Sequence, residues 1–238
     1  MTYPATAPDL PGRAVSHQSW DHLSFIHWRA DRRSIQALLP EGLTVDLFDG
    51  TAWVALVPFR MTRVRPAGLP AVPWVSTFPE KNVRTYVRDR SDGTGVWFSS
   101  LDIPRASGVA LARSLFRIPY MWASMTLHRN GDRVSYRSRR RWPRPRGAGC
   151  DIEVVRGGPA ERSELLDFLT NRWRAYTTDR AGAIVYAPVA HEPWRLYEAT
   201  ATRLVEDLLP SAGINGLDGP LVHFSPGVTA RVGMLRSV

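Results

Sequence analysis

TVDLFDGTAWVALVPFRMTRVR, residues 44–65, is the stretch whose reading decides the fold. Asp49-Gly50 separates two β-rich runs, and an Asp-Gly pair supplies the positive φ angles that a two-residue hairpin turn demands. Upstream, SFIHWRADRRSIQALLPEGL reads as a strand over 25–29, a short helix over 31–39 and a turn at Pro40-Glu41-Gly42. Asp31 is the expected N-cap of that helix, with Leu38 and Leu39 facing the core. Downstream, β-rich runs recur at 82–90, 95–101, 122–128, 133–141, 183–187, 194–205 and 221–232, and Asn130-Gly131 marks a second hairpin. Two further helices are expected: 107–116, and 163–176, where Ser163 caps and Leu165, Leu166, Leu169 and Trp173 fall at helical spacing. Short strands in this number with few helices predict a β-rich, mostly antiparallel α+β fold, barrel-like or built from two packed sheets.

With 238 residues, 44% of them hydrophobic, the chain has material for one large core, and a single domain over 20–238 with an N-terminal extension over 1–19 is expected. No apolar run approaches the roughly 20 residues that cross a bilayer, and no signal-like segment opens the chain, so a cytoplasmic protein with no membrane partner is expected. One cysteine, Cys150, excludes an internal disulfide and a cysteine-rich metal site. It lies in the Gly- and Pro-rich RPRGAGCD, read as a loop without a nearby histidine. His17, His22 and His27 have a spacing that suits neither a helical nor a strand metal pair. No metal or other cofactor is expected. The net charge of +9 raises nucleic acid as a partner. Apart from RSRRRWPRPR at 137–146, however, the arginines are scattered, and the near-total replacement of lysine by arginine fits coding bias better than phosphate contacts.

FPEKNVRTYVRDR, residues 78–90, holds Lys81, the single lysine of the chain. On a strand, side chains alternate, so Glu80, Asn82, Arg84 and Tyr86 share one face, and Lys81, Val83, Thr85 and Val87 share the other. The polar row reads as the solvated side of an edge strand or as the wall of a closed cavity. The mixture of carboxylate, amide, guanidinium and phenol, able to form a buried network, favours the cavity. So do Ser99 and Asp102 near the end of the next run, VWFSSLD, and nine tryptophans available for aromatic walls. His191 and His223 are each read as a general base if they reach that cavity.

Taken together, WDHLSFIHW, LLPEGLTVDLFDGTAWVALVPFRM, EKNVRTYV, GVWFSSLD, ARSLFRIPY, FLTNRWRAY and HEPW resemble the DUF2071 (YqjF-like) family, from about Trp20 to the C-terminus. The resemblance implies a fold similar to acetoacetate decarboxylase, a cone-shaped β-barrel around a buried site. In that enzyme the imine-forming lysine sits in a Pro-Lys-Lys motif. The segment here that looks equivalent, ARSLFRIPYMWA, has Pro119 followed by Tyr120 and Met121, and neither of those two side chains forms an imine. Glu80 resembles the acidic residue near the decarboxylase substrate.

These readings converge on a small-molecule enzyme that uses noncovalent acid–base chemistry of lyase, hydratase or isomerase type on an anionic keto-acid or polyketide-like ligand. Glu80, Tyr120 and Arg113 are the expected catalytic residues, and Asn82, Arg84, Tyr86, Ser99, Asp102, His191 and His223 the expected substrate-binding ones. A binding or sensing protein of the same fold, without catalysis, is the alternative. Homo-oligomerisation is left open.

Overall fold

The computed structural model describes residues 3–72, 76–106, 109, 119–143 and 145–238. The helix expected over 107–116, and Arg113 with it, lies outside the described residues. The Asp49-Gly50 hairpin is present: Phe48 and Thr51 form the closing bridge, with φ of 46° at Asp49 and 74° at Gly50. It leads into β3 (Ala52–Pro66), which is flanked by β1 (Ala14–Ala30) and β4 (Phe78–Asp89). β1 begins well before the predicted strand, inside the stretch read as an extension. Between β1 and β3, α1 (Arg32–Gln36) is capped by Asp31 as predicted, and Ser34 N–H donates to the Asp31 carboxylate at 2.8 Å. The core-facing residue of α1 is Ile35. Leu38 is exposed, which corrects the expectation that it packs inward.

The remaining elements are β2 (Leu43–Val45), β5 (Thr94–Ile103), β6 (Tyr120–Asn130), β7 (Arg133–Trp142), β8 (Gly149–Pro159), α2 (Glu164–Thr170), β9 (Arg174–Thr178), β10 (Ile184–His191), β11 (Tyr197–Glu206), α3 (Leu208–Ser211), β12 (Leu221–Gly233) and β13 (Arg236–Ser237). Two predictions are corrected here. The second half of the helix expected over 163–176 is strand β9, because α2 ends at Asn171 and the following residues pair with β10 and, in parallel, with β5. Cys150 lies on strand β8, buried, and not in a loop.

All thirteen strands belong to one sheet. Its centre is the run β12-β1-β3-β4-β5, antiparallel throughout. The outer edges of β5 and β12 are each shared by two neighbours. One wrap, β6-β7-β8-β11, closes a nine-strand barrel. The other, β9-β10, closes on the opposite side through Val96 and Trp97 of β5 and through residues 230–232 of β12. The central sheet therefore has two interior faces and no solvated one, and strands buried on both faces lose the polar-out alternation.

The lumen of the nine-strand barrel holds the largest apolar cluster: Ile26, Trp28, Val54, Leu56 and Val83 from the central sheet meet Val134, Tyr136, Ile152 and Val154 from the wrap. The second face carries Leu23, Phe25, Ala55, Val57 and Phe59, continuing into Trp53, Tyr86, Phe168 and Leu169. A bulge helps to divide the two. At His22, with φ of 53°, β1 gains a residue relative to β3, so Trp20 pairs with Met61 and joins the second face instead of the lumen. Gly227, with φ of 140°, lets β12 pass: a Cβ there would fall 2.2 Å from the Trp20 carbonyl oxygen.

Candidate functional site

β4 has a continuous partner on each side, which removes the edge-strand reading of the polar row. Glu80, Asn82 and Arg84 pair with Phe59, Val57 and Ala55 on the second face, Tyr86 packs with Trp53 on the same face, and Glu80, Asn82 and Tyr86 are buried. Across one row of the sheet run His27, Ala55, Arg84 and Phe98. Ala55 is the small residue that leaves space between the imidazole and the guanidinium. In the next row Asn82 lies opposite Leu101, and Leu101 pairs in parallel with Tyr120, which brings the Tyr120 phenol close enough to Glu80 for the two to interact electrostatically.

Burial decides the charge states. Glu80 is only 4% exposed and no described cation compensates its carboxylate, so desolvation, reinforced by Asp102 across the sheet, raises its pKa from 4.5 to about 8. At neutral pH Glu80 is a protonated acid. Burial, with Glu80 adding to it, pushes the Tyr120 phenol well above its usual range. His27 is fully buried, and burial beside Arg84 and His223 holds it well below the usual imidazole value. His191 and His223 are lowered too, mainly by burial. All three imidazoles are neutral.

Arg84 is then the net charge of the row. Its guanidinium sits over the rings of Phe25 and Tyr86, at 5.6 and 5.8 Å, and forms no ion pair among the described residues. Its one direct bond is long, 3.4 Å from Nη2 to the carbonyl of Leu169, which also accepts from Tyr86 Oη at 2.9 Å. That carbonyl is in the last turn of α2, where helix carbonyls lack intrahelical partners. Glu80 Oε2, Asn82 Oδ1, Arg84 Nε, both ring nitrogens of His27 and His223 Nδ1 are buried without a hydrogen bond. Native interiors leave few such atoms. Six such atoms lie on this one face among the described residues.

An aromatic wall closes this face. Trp194 lies 5.1 Å from Phe25 edge-on and 6.1 Å from Trp20 stacked, and His191 sits among Trp20, Trp173 and Trp194 at 5.7, 4.6 and 4.5 Å. His191 Nδ1 is 2.6 Å from the carbonyl of Glu192, and His223 Nε2 is 3.8 Å from Glu198. Below Tyr86, Asp46 accepts from Arg172 and Arg88, each at 2.7 Å, and from Tyr3 Oη at 3.0 Å.

The structure thus brings together Glu80, Asn82, Arg84, Tyr86, Tyr120, His191 and His223. It does not bring in Asp102, which pairs with Lys81 on the lumen face and is held by Arg140 through three contacts of 2.9–3.1 Å. Ser99 is the extra residue of a bulge in β5, between the pairs Val83–Ser100 and Arg84–Phe98, and is partly exposed. Arg172 and Asp46 went unnoticed in the sequence, and His27 was considered there only as a metal ligand. For His27 the signal was present, since alternation from Phe25 places it on the same face. Two surface hollows, of about 90 and 100 Å³, lie elsewhere and include none of the polar row. Among the described residues no group of three His, Cys, Asp or Glu side chains is placed to hold a metal, and no helix is long and apolar enough to cross a membrane.

The DUF2071 family model, described as an uncharacterized conserved protein, matches residues 17–229. The uncharacterized protein YqjF of Bacillus subtilis (strain 168) is 33% identical over 222 residues, covering 92% of this chain and 90% of that protein. Among solved structures, the enduracididine biosynthesis enzyme MppR, complexed with pyruvate, superposes with a TM-score of 0.66 at 11% identity over 95% of this chain and 91% of that one. An acetoacetate decarboxylase-like enzyme from Sphingomonas wittichii RW1 gives 0.65 at 15% identity, covering 100% and 98%. Acetoacetate decarboxylase from Legionella pneumophila gives 0.60 at 14%, covering 96% and 92%. The fold is acetoacetate-decarboxylase-like.

Proposed function

Because the chain belongs to the DUF2071 family, which carries no assigned reaction, and has an acetoacetate-decarboxylase-like fold, we propose from its own residues that it is a small-molecule enzyme of noncovalent acid–base type. The observation that carries the reading is the half-buried Arg84 guanidinium, with an enclosed Nε and no ion pair among the described residues, beside a protonated Glu80 and neutral imidazoles. A partly enclosed guanidinium with no acidic partner favours a carboxylate ligand through a charge-assisted pair. Cα atoms four residues apart on a strand are about 13 Å apart. With Arg84 on the carboxylate, the reacting carbonyl of an extended keto acid reaches towards Glu80 and Tyr120. Glu80, a neutral acid at pH 7, donates its proton to the carbonyl oxygen as an enol forms, and Asn82 and Tyr120 stabilise that oxygen. The bases available to take the α-proton are the neutral imidazoles of His27, His191 and His223.

Tyr120 and Met121 stand where the resemblance places the imine lysine, so no covalent step at that position enters the scheme. Enolisation is a step shared by lyase, hydratase and isomerase reactions, and it is directly observable. The test is exchange of α-protons for deuterium in a series of keto acids with increasing separation of carbonyl from carboxylate, followed by proton NMR with the protein in D2O. Wild type accelerates exchange of at least one member of the series, Glu80→Gln abolishes the acceleration while ligand-induced thermal shifts persist, and Arg84→Met abolishes both. Binding without exchange in the wild type overturns the enzymatic reading in favour of a binding or sensing protein.

A further inference from the structure

The lumen face of β4 holds a second polar group that the proposed chemistry does not use. Lys81 is 2% exposed, and its Nζ has no hydrogen bond of acceptable geometry. Its cross-strand partner Asp102 is already occupied by Arg140, whose Nη groups also bond Ser100 Oγ at 2.6 Å and Ser211 Oγ at 2.8 Å. What faces the Lys81 amine is the thiol of Cys150, reaching in from β8. Cys150 is fixed there by pairing with Ser138, by a contact of 3.7 Å from Ser138 Oγ, and by its own donation to the Tyr136 carbonyl at 3.7 Å. The chain's one lysine and one cysteine therefore face each other in the lumen, beside an Asp102–Arg140 pair that is already satisfied.

We propose that Lys81 and Cys150 are an oxidisable pair that a peroxide converts into a covalent S–N bridge spanning the barrel from β4 to β8. Burial lowers the pKa of the amine and so favours the neutral form, the one that accepts a proton and attacks an electrophile. In the first step Lys81 takes the thiol proton as Sγ attacks one oxygen of hydrogen peroxide. The O–O bond breaks, sulfur is oxidised to a sulfenic acid, and the released hydroxide leaves as water with that proton. Sulfenic acids condense with nearby nitrogen nucleophiles. In the second step Nζ attacks Sγ, the S–O bond breaks and hydroxide leaves as a second water with a proton from nitrogen. One peroxide is reduced to two waters, and the protein loses one hydrogen from sulfur and one from nitrogen.

The experiment uses the reduced, folded full-length chain treated with stoichiometric hydrogen peroxide and analysed by intact mass and peptide mapping without reductant. The expected product is lighter by two hydrogens, yields a peptide joining Lys81 to Cys150, and reverts on addition of dithiothreitol. Because Lys81 is the only lysine, any lysine-linked peptide identifies it, and mapping separates it from the α-amino group. Lys81→Met should leave Cys150 accumulating oxygen without a bridge, and Cys150→Ser should show no bridge. Oxygen addition at Cys150 alone in wild type, no change in wild type, or equal bridging in urea, where the pair is no longer apposed, would each overturn the proposal. The deciding readout is on wild type, so a variant that fails to fold does not obscure it.

Discussion

Glu80 and Lys81 are consecutive residues of one strand, both almost wholly buried, and they point into different compartments. On the lumen side the polar groups are matched: Asp102 and Arg140 neutralise each other, two serines complete the guanidinium, and only the Lys81 amine is left over. On the other side, among the described residues, Arg84 has no acid, Glu80 has no base, and Glu80, Asn82, Arg84, His27 and His223 all keep buried polar atoms without partners. A buried network that is satisfied specifies structure, whereas one left open by the fold is available to a ligand. The difference separates a structural face from a functional one more clearly than residue type does, since both faces carry acid and base.

The largest expected effect breaks that comparison through pH. Between 4.5 and about 8 folded Glu80 holds a proton that the unfolded chain has released, so stability falls as pH rises through this window. Linkage sets a ceiling of roughly 5 kcal/mol on the loss. Lys81 acts in the opposite direction. Its lowered pKa means that the unfolded chain binds the extra proton, so stability rises with pH from the native value up to 10.5. Urea denaturation across pH 4–10 should therefore show Glu80→Gln removing the fall and Lys81→Met removing the alkaline rise. If both variants keep the wild-type profile, the groups are not buried as described.

Next in size is the matched side itself. Arg140→Met leaves Asp102 as an unpaired charge in the lumen, and removing one member of a buried pair costs about 3–5 kcal/mol. Asp46→Ala, which strands Arg172 beneath Tyr86, should cost a similar amount. Smaller again is Tyr136→Phe, which removes a hydroxyl bonded to the His22 carbonyl at 2.7 Å and to Ser24 Oγ at 2.9 Å, beside the bulge that assigns Trp20 to its face. A loss of about 1–3 kcal/mol is expected by equilibrium unfolding. A neutral result would show that the bulge holds its shape without this anchor.

How much of this was legible in the sequence follows from what each signal reports. The Asp49-Gly50 turn and the alternation along β4 are local, and both held: the turn has its positive φ angles and the polar row shares a face. Residues 171–178 misled because Leu165, Leu166, Leu169 and Trp173 have helical spacing, but Tyr176 and Thr177 are β-formers that pair with β10 just downstream, and Tyr176 also with β5 far back in the chain. Asp102 looked like part of the polar row because it lies near the end of the next β-rich run, VWFSSLD. Register, which no single strand reveals, sets it opposite Lys81. Cys150 likewise passed for a loop residue because Gly147 and Gly149 surround it, although Gly149 is where β8 presses on Ser138: a Cβ there would fall 1.9 Å from the Ser138 carbonyl oxygen.

The smallest stability effect is the sharpest test of the contrast. Arg84→Met deletes a half-buried charge where Arg140→Met deletes a buried one, yet no carboxylate is left stranded, because Arg84 has no ion pair among the described residues. The methionine stem can still cover Phe25 and Tyr86, and what is lost is a long bond to the Leu169 carbonyl and two cation–π contacts of about 0.5–1 kcal/mol each. Relief of the guanidinium's desolvation offsets much of that, so the net change should stay within about 1 kcal/mol by urea denaturation. Stabilisation of the wild type by a keto acid, read as a thermal shift, should disappear in the same variant. A collapse in stability to match Arg140→Met would mean that Arg84 is a structural charge whose partner the fold supplies, and the two faces of β4 would then no longer differ in kind.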